Sequence, residues 1–244
     1  SLFSCYITST GDDMGGNVFV DERVGPILRR NIASTIEQYF LELSELFPMC
    51  SHHFKDFVAL GSVGKKNTSG DIDLGVDVKT LFPKGHVTSD ELQDWNLDPE
   101  AWQQTYNKML KRARTATPEQ VELRAFLYEL AKYIGQNSNS VKSDLKKVRP
   151  GQMFTLFPQI DAHNHEMLIN VQIDWMLGKR EWLEFSYFSD FPSKEQPMLK
   201  GLHRTQLILA MFGAKNYSFR HVGGIFNKTT GKRVAHSPRE ATQL

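Results

Sequence analysis

The sequence predicts an α/β protein of the α+β kind: a mixed sheet with a helical N-terminal segment, a helical insertion and a small C-terminal lobe. Three observations predict it. Residues 24–47 carry apolar side chains at helical spacing. Strand-like segments at 56–60 and 71–78 are separated from further ones at 153–160 and 167–177 by a long stretch of helical character. A last helix-then-hairpin pattern begins near residue 199. With 244 residues, 40% hydrophobic and 23% charged, the chain can bury a sizeable core, and the composition excludes a mainly disordered protein.

The elements follow in order. Ile27, Leu28, Ile32, Ile36, Phe40, Leu43 and Phe47 recur at steps of mostly three and four between Gly25 and Pro48, which predicts an amphipathic helix over 24–47. DFVAL at 56–60 reads as a buried strand running into Gly61-Ser62. DIDLGVDV at 71–78 alternates carboxylates with apolar residues, as a half-buried strand does, and is expected to pair with it. Residues 81–150 form a polar insertion, helical over 99–114 and 118–133 and loop-like through GQNSNS. Strands at 153–160 and 167–177 flank the polar turn DAHNH and predict an antiparallel hairpin. A helix over 199–212 and two short strands around NKTTGK complete the chain. The expected organisation is an N-terminal helical segment (1–55), a central domain (56–190) with its insertion at about 81–150, and a C-terminal lobe (191–244).

A formal net charge of +1 excludes a whole-molecule basic field, so contact with a polyanion must be local. One local source is the C-terminal region, where Lys200, Arg204, Lys215, Arg220, Lys228, Lys232, Arg233 and Arg239 face the single acid Glu240. Cys5 and Cys50 make neither a disulfide framework nor a zinc site, and a reducing, cytoplasmic compartment is expected. No leader-like start and no apolar run of membrane-spanning length is present, so a soluble protein with no membrane partner is expected. His163 and His165 read as part of a polar turn, and the four tryptophans as packing residues.

The chemistry concentrates at residues 60–77, LGSVGKKNTSGDIDLGVD. Side chains alternate along a strand, so Asp71 and Asp73 share one face while Ile72 and Leu74 pack on the other. Asp174 lies between Ile173 and Trp175 in a second strand that can bring it beside them. Three converging carboxylates repel one another unless a hard cation neutralises them, which predicts Mg²⁺ or Mn²⁺, two ions for in-line phosphoryl chemistry. Gly61, Ser62, Gly64 and Gly70 suit a turn whose amides face a phosphate, and Lys65 and Lys66 add charge. Asp77, beyond Gly75, reads as solvated.

GSVGKKNTSGDID resembles the signature of the DNA polymerase beta-type nucleotidyltransferase superfamily. The Ser-Gly before Asp71, with EFSYFSD and HRTQLILAMFGAKNYSFRHVGGIFNKTTGKRVAHSPREATQL, is similar to the palm and thumb of its family X DNA polymerases. The resemblance spans about half of the chain. It implies a nucleotidyltransferase palm in which Asp71, Asp73 and Asp174 hold the metals and Gly61, Ser62 and Lys65 contact the triphosphate. Tyr187 and Phe188 would lie against the sugar, with Lys200, His203 and Arg204 in reach of the phosphates. This chain has Lys65 where the family usually has Arg, and Ser189-Asp190 where a Gly-Ser usually follows the Tyr-Phe. The lyase and fingers domains have no counterpart in the residues before the motif.

The implied reaction transfers NMP or dNMP from a nucleoside triphosphate such as ATP to an acceptor hydroxyl, first a DNA or RNA 3′-hydroxyl. A protein, a tRNA or a small molecule as acceptor, cyclic-oligonucleotide synthesis, and a nucleotide-binding regulator without turnover are the alternatives.

Overall fold

The computed structural model describes residues 19, 22–61, 63, 66–187 and 201–244, with the side chains of 187 and 201–207 outside that description. The first helix starts later than its periodicity predicts. Ile27–Leu28 (β1) pairs antiparallel with Thr68–Ser69, and only then does the helix α1, Arg29–Leu46, begin. Its buried face, with Ile32, Thr35, Tyr39 and Leu43, lies against the sheet. A 3₁₀ helix, Pro48–Asp56, takes up part of the segment expected as strand, leaving Val58–Ala59 as β2. Thr68–Ser69 is β3, and Asp71–Asp77 is β4.

The insertion is helical, and its boundaries carry explicit capping chemistry. After the short α2 (Val78–Leu81), α3 (Ser89–Asp94) opens on a capping box between Thr88 and Glu91. Asp98 caps α4 (Pro99–Arg112), and Thr117 with Gln120 boxes α5 (Pro118–Asn137). Both of these helices begin with proline, whose missing N–H costs nothing at a first turn. The polar GQN, expected as loop, is the last turn of α5. Ile134 is fully buried there, and a Cβ at Gly135 would meet Ser143 Oγ at 3.2 Å. Burial of one apolar face outweighs the polar composition of the other.

Three more strands complete the central sheet: β5 (Lys142–Ser143), β6 (Gln152–Ile160) and β7 (Met167–Gly178). The order is β2-β4-β7-β6-β5, with β4 parallel to β7 and the other pairs antiparallel. The sheet is therefore mixed, and both the predicted hairpin (β6–β7) and the predicted β2–β4 pairing are present. The C-terminal part holds α6 (Arg180–Tyr187), α7 (Gly201–Ala214), β8 (Tyr217–Arg220), β9 (Gly224–Asn227), β10 (Arg233–Ala235) and α8 (Pro238–Ala241). Two strands were expected here, and β9–β10 is that hairpin around NKTTGK; β8 is a third, joined through a tight turn at 221–223. Gly224, at φ +98°, admits no side chain, because a Cβ would lie 2.3 Å from the Ala235 carbonyl oxygen. Among the described residues no helix is long and apolar enough to cross a membrane.

The main core lies between the sheet and α1 and α5, where Ile72, Leu74, Val76, Val171, Ile173 and Trp175 are buried. A chain of buried hydrogen bonds fastens α1 to it. Trp175 Nε1 donates to Tyr39 Oη at 2.9 Å, Tyr39 Oη meets Thr155 Oγ1 at 2.8 Å, and Thr155 Oγ1 donates to the Ile173 carbonyl at 2.6 Å. Because the Thr155 proton is used on Ile173, the tyrosine donates to the threonine and accepts from the indole. Tyr39→Phe therefore leaves two buried partners unmet. We expect it to cost about 1–3 kcal/mol, read as a Tm lower by about 2–10 °C, with metal binding unchanged; an unaltered Tm would show that the chain of bonds does not stabilise the fold.

Candidate metal centre

The parallel pairing of β4 with β7 sets Asp73 directly beside Asp174 and Asp71 beside Gln172. Their register is held from the opposite face. Ile72, Leu74, Ile173 and Trp175 are at most 1% exposed, and a slip of one residue would turn them to the acid face and the carboxylates into the core. Asp71, Asp73 and Asp174 each offer a carboxylate oxygen, and these atoms all lie within 4.8 Å of one another. Among the described residues this is the one group of three or more His, Cys, Asp or Glu side chains so arranged. The same face continues into a small apolar cluster of Leu60, Met176 and Leu183. A Cβ at Gly75 would lie 2.6 Å from Leu60 Cδ1, so a larger residue there would have to displace the Leu60 side chain.

Asp174 is buried, and its two oxygens differ. Oδ2 accepts from Gln172 Nε2 at 3.1 Å, whereas Oδ1 is buried without a hydrogen-bond partner among the described residues. A buried carboxylate oxygen left this way is costly unless a cation or proton meets it. Burial first, then the charge of Asp71, pushes Asp73 up to about 8. Burial, then Asp73 and Asp71, holds Asp174 well above the usual carboxylate range, opposed by the Gln172 hydrogen bond and by Arg149. An all-oxygen donor set with one oxygen unsatisfied and mutual repulsion fits a hard divalent cation such as Mg²⁺ or Mn²⁺.

Of the other residues singled out in the sequence, Gly61 ends the β2 segment at φ +63°, a left-handed conformation glycine adopts without strain. It sits close to the acids, because Leu60 N donates to the Asp73 carbonyl at 2.9 Å. Ser62, Gly64, Lys65, Phe188 and Lys200 lie outside the described residues. Tyr187 is the last residue of α6, and His203 and Arg204 lie in α7, but their side chains are outside the description. Asp77 accepts from Lys79 N at 2.9 Å and so caps α2. His163 and His165 lie in the turn held by Asp161 Oδ1, which accepts from His163 N and Asn164 N. Trp95, Trp102, Trp175 and Trp182 are buried packing residues.

Sequence reading missed Gln172 and Arg149. Gln172 had a local signal, since it precedes Asp174 by two positions and shares its strand face. Arg149 had none, because it lies far from Asp174 in the sequence and acts on it only in the folded chain.

Fold and site define an α+β protein with a three-carboxylate centre on two adjacent parallel strands. No family model matches the chain, and no curated protein does. Among solved structures it is similar to the polymerase beta of Leishmania infantum in a ternary gap complex, at 14% identity and TM-score 0.34, covering 92% of this chain and 55% of that one. It is similar also to the ternary P/T complex of the same polymerase, at 14% identity and TM-score 0.33, covering 85% of this chain and 60% of that one. The match thus spans little more than half of the polymerase, and likeness at this level assigns no activity to this chain.

In metal-free buffer Asp73 keeps its proton up to about 8, whereas in the unfolded chain it ionises near ~4. Between those values the folded state binds more protons than the unfolded one, so stability falls as pH rises. Thermal unfolding in EDTA is expected to show Tm declining from about pH 5 to about pH 8, with a flatter profile and a higher Tm near neutrality for Asp73→Asn. Mn²⁺ at about a hundred times its Kd should stabilise the wild type by about 2.7 kcal/mol and leave Asp73→Asn and Asp174→Ala unmoved. An equal rise in all three proteins would place the ion elsewhere.

Proposed function

We propose that this chain is a metal-dependent nucleotidyltransferase of the DNA polymerase beta type, built like the palm and thumb of a family X polymerase. It transfers NMP or dNMP from a nucleoside triphosphate to an acceptor hydroxyl, first of all a nucleic-acid 3′-hydroxyl. The observation that carries the reading is the convergence of Asp71, Asp73 and Asp174, with a buried unpartnered oxygen on Asp174. The Gly61-Ser62 pair that precedes Asp71 and Asp73 in the sequence supports it.

When bound, Mg²⁺ or Mn²⁺ supplies Lewis acidity to the phosphoryl oxygens and neutralises the three carboxylates. Asp71 and Asp73 would hold the metal from β4, and Asp174 would join them from β7. Gly61, Ser62 and Lys65 cradle the triphosphate, Tyr187 and Phe188 lie against the sugar, and Lys200 and Arg204 approach the phosphates from the C-terminal lobe. The acceptor oxygen forms a bond to the α-phosphorus as the bond from that phosphorus to the bridging oxygen breaks. Pyrophosphate leaves with the electron pair, and the hydroxyl proton passes to the Asp174 carboxylate. Gln172 is a positioning residue, because its amide donates to Asp174 Oδ2 and so restrains that carboxylate.

Incubation with each α-labelled ribo- and deoxyribonucleoside triphosphate, with Mn²⁺ or Mg²⁺ and single-stranded DNA, duplex DNA or RNA, tests the reading. We expect label in an extended strand, with Asp71→Ala and Asp73→Ala each lowering the rate on the order of a thousandfold, as loss of several kcal/mol of charge stabilisation implies. Label transferred to a protein or small molecule would move the acceptor but keep the chemistry. Metal-dependent nucleotide binding without transfer to any acceptor would make the chain a nucleotide-binding regulator instead.

A further inference from the structure

A second concentration of charge lies away from the aspartates. Between α4 and α5, closed by the turn at 113–116 and by Pro150, is a cavity of about 590 Å³. Five cations line it: Lys108 and Arg112 of α4, Arg114 of the turn, and Arg124 and Lys132 of α5. The spacing aims them at one place. Lys108 and Arg112 are one helical turn apart, and Arg124, Tyr128 and Lys132 follow at four-residue steps along the facing helix. Like charges at this spacing destabilise a helix. None of the five forms an ion pair among the described residues, where the ion pairs are Lys142–Glu22, Arg180–Glu184 and Arg233–Glu119. The one carboxylate in the lining, Glu129, is buried and accepts from Thr105 Oγ1 at 2.6 Å.

A solvated basic face accounts for cations spread over a helix. It does not account for a cavity whose walls combine them with Met109, Val121 and the half-buried ring of Tyr128. The walls are also braced. Arg124 Nε donates to the Val148 carbonyl at 3.1 Å, which fixes the guanidinium while its terminal nitrogens make no hydrogen bond among the described residues. Arg220, from the C-terminal lobe, donates through Nη1 to the Thr115 carbonyl and to Gln120 Oε1, each at 2.8 Å, and so holds the turn that closes the cavity. A preformed concavity loses little on binding, and its volume falls within the range of small-molecule sites. With a net charge of +1 for the whole chain, five cations around one cavity are a local provision.

We propose that this cavity binds a small phosphate-rich molecule of nucleoside-polyphosphate chemistry, its phosphates among the five cations and its flat body against Tyr128 and Met109. The site is separate from the metal centre, since none of the three aspartates lines it, and binding there needs no divalent ion.

Equilibrium binding of ATP and of pyrophosphate in EDTA tests this with three full-length proteins. They are the wild type, Asp71→Ala/Asp73→Ala/Asp174→Ala, and Lys108→Gln/Arg112→Gln/Lys132→Gln. All three cations replaced in the last are exposed, and the single variant Arg112→Glu repeats the test with a smaller change. We expect ATP to bind the first two proteins alike, about tenfold or more weakly to the charge variants, and more tightly than pyrophosphate, which lacks the flat body. No binding in EDTA, or binding that the charge variants leave unchanged, would overturn the proposal. So would binding of a single-stranded oligonucleotide with no binding of ATP, which would make the cavity part of a strand-binding surface. Because the aspartate variant is expected to bind normally, failure of the nucleotidyltransferase reading leaves this result untouched.

Discussion

The parallel ladder between β4 and β7 is the constraint on which the centre depends. Its register places Asp73 beside Asp174; burial raises the pKa of both, with repulsion from Asp71 added at Asp73 and from Asp73 and Asp71 at Asp174. Nothing about the acids themselves favours that arrangement in the absence of a cation. It is imposed by the other face of the same strands, where Ile72, Leu74, Ile173 and Trp175 are withdrawn from water. Each such side chain contributes about 1.5–3 kcal/mol by burial, so the hydrophobic face sets the register and the acid face accepts its consequence.

The opposite side of the sheet is built to resist that repulsion. Trp175 is tied to Tyr39 by its indole N–H and packed edge-on against Phe57, with ring centroids 4.9 Å apart, and against Trp95 at 6.0 Å. These contacts join α1, the residue that ends the 3₁₀ helix and the insertion to the strand that bears Asp174. A strand anchored on both sides of the residue cannot relax its carboxylate away from its neighbours. Gln172 completes the arrangement by engaging Asp174 Oδ2, while Oδ1 is buried without a hydrogen-bond partner among the described residues.

The insertion and the C-terminal lobe are linked through Arg220 and Arg233. Both guanidinium groups stack on Phe226, at 4.5 and 5.3 Å from its centroid. Arg220 then reaches the turn at 115, while Arg233 lies 3.9 Å from Glu119. Burial depresses the Arg220 pKa, but a guanidinium remains charged. The basic residues counted in the C-terminal sequence are therefore not all one solvated face: two of them contact the start of α5 or the turn before it, beside the cationic cavity.

Much was legible where the signal is local. Period-two alternation placed Asp71 and Asp73 on one strand face, helical patterning marked α1, α4 and α5, and the apolar run around Asp174 marked its strand. Where local signals failed, a distant segment had intervened. Pairing with Thr68–Ser69 converted Ile27–Leu28 from helix to strand, and burial of Ile134 carried α5 through a polar stretch read as loop. The sequence by itself determined which residues bear the carboxylates and which face of each strand they occupy, because backbone geometry dictates both. Only the tertiary structure decided that β4 and β7 run parallel with 73 opposite 174. It also set Gln172 beside Asp71 and brought Arg149 near Asp174, and turned cations on two helices toward one cavity. Those are contacts between residues far apart in the chain, and they are set by which faces can be buried together.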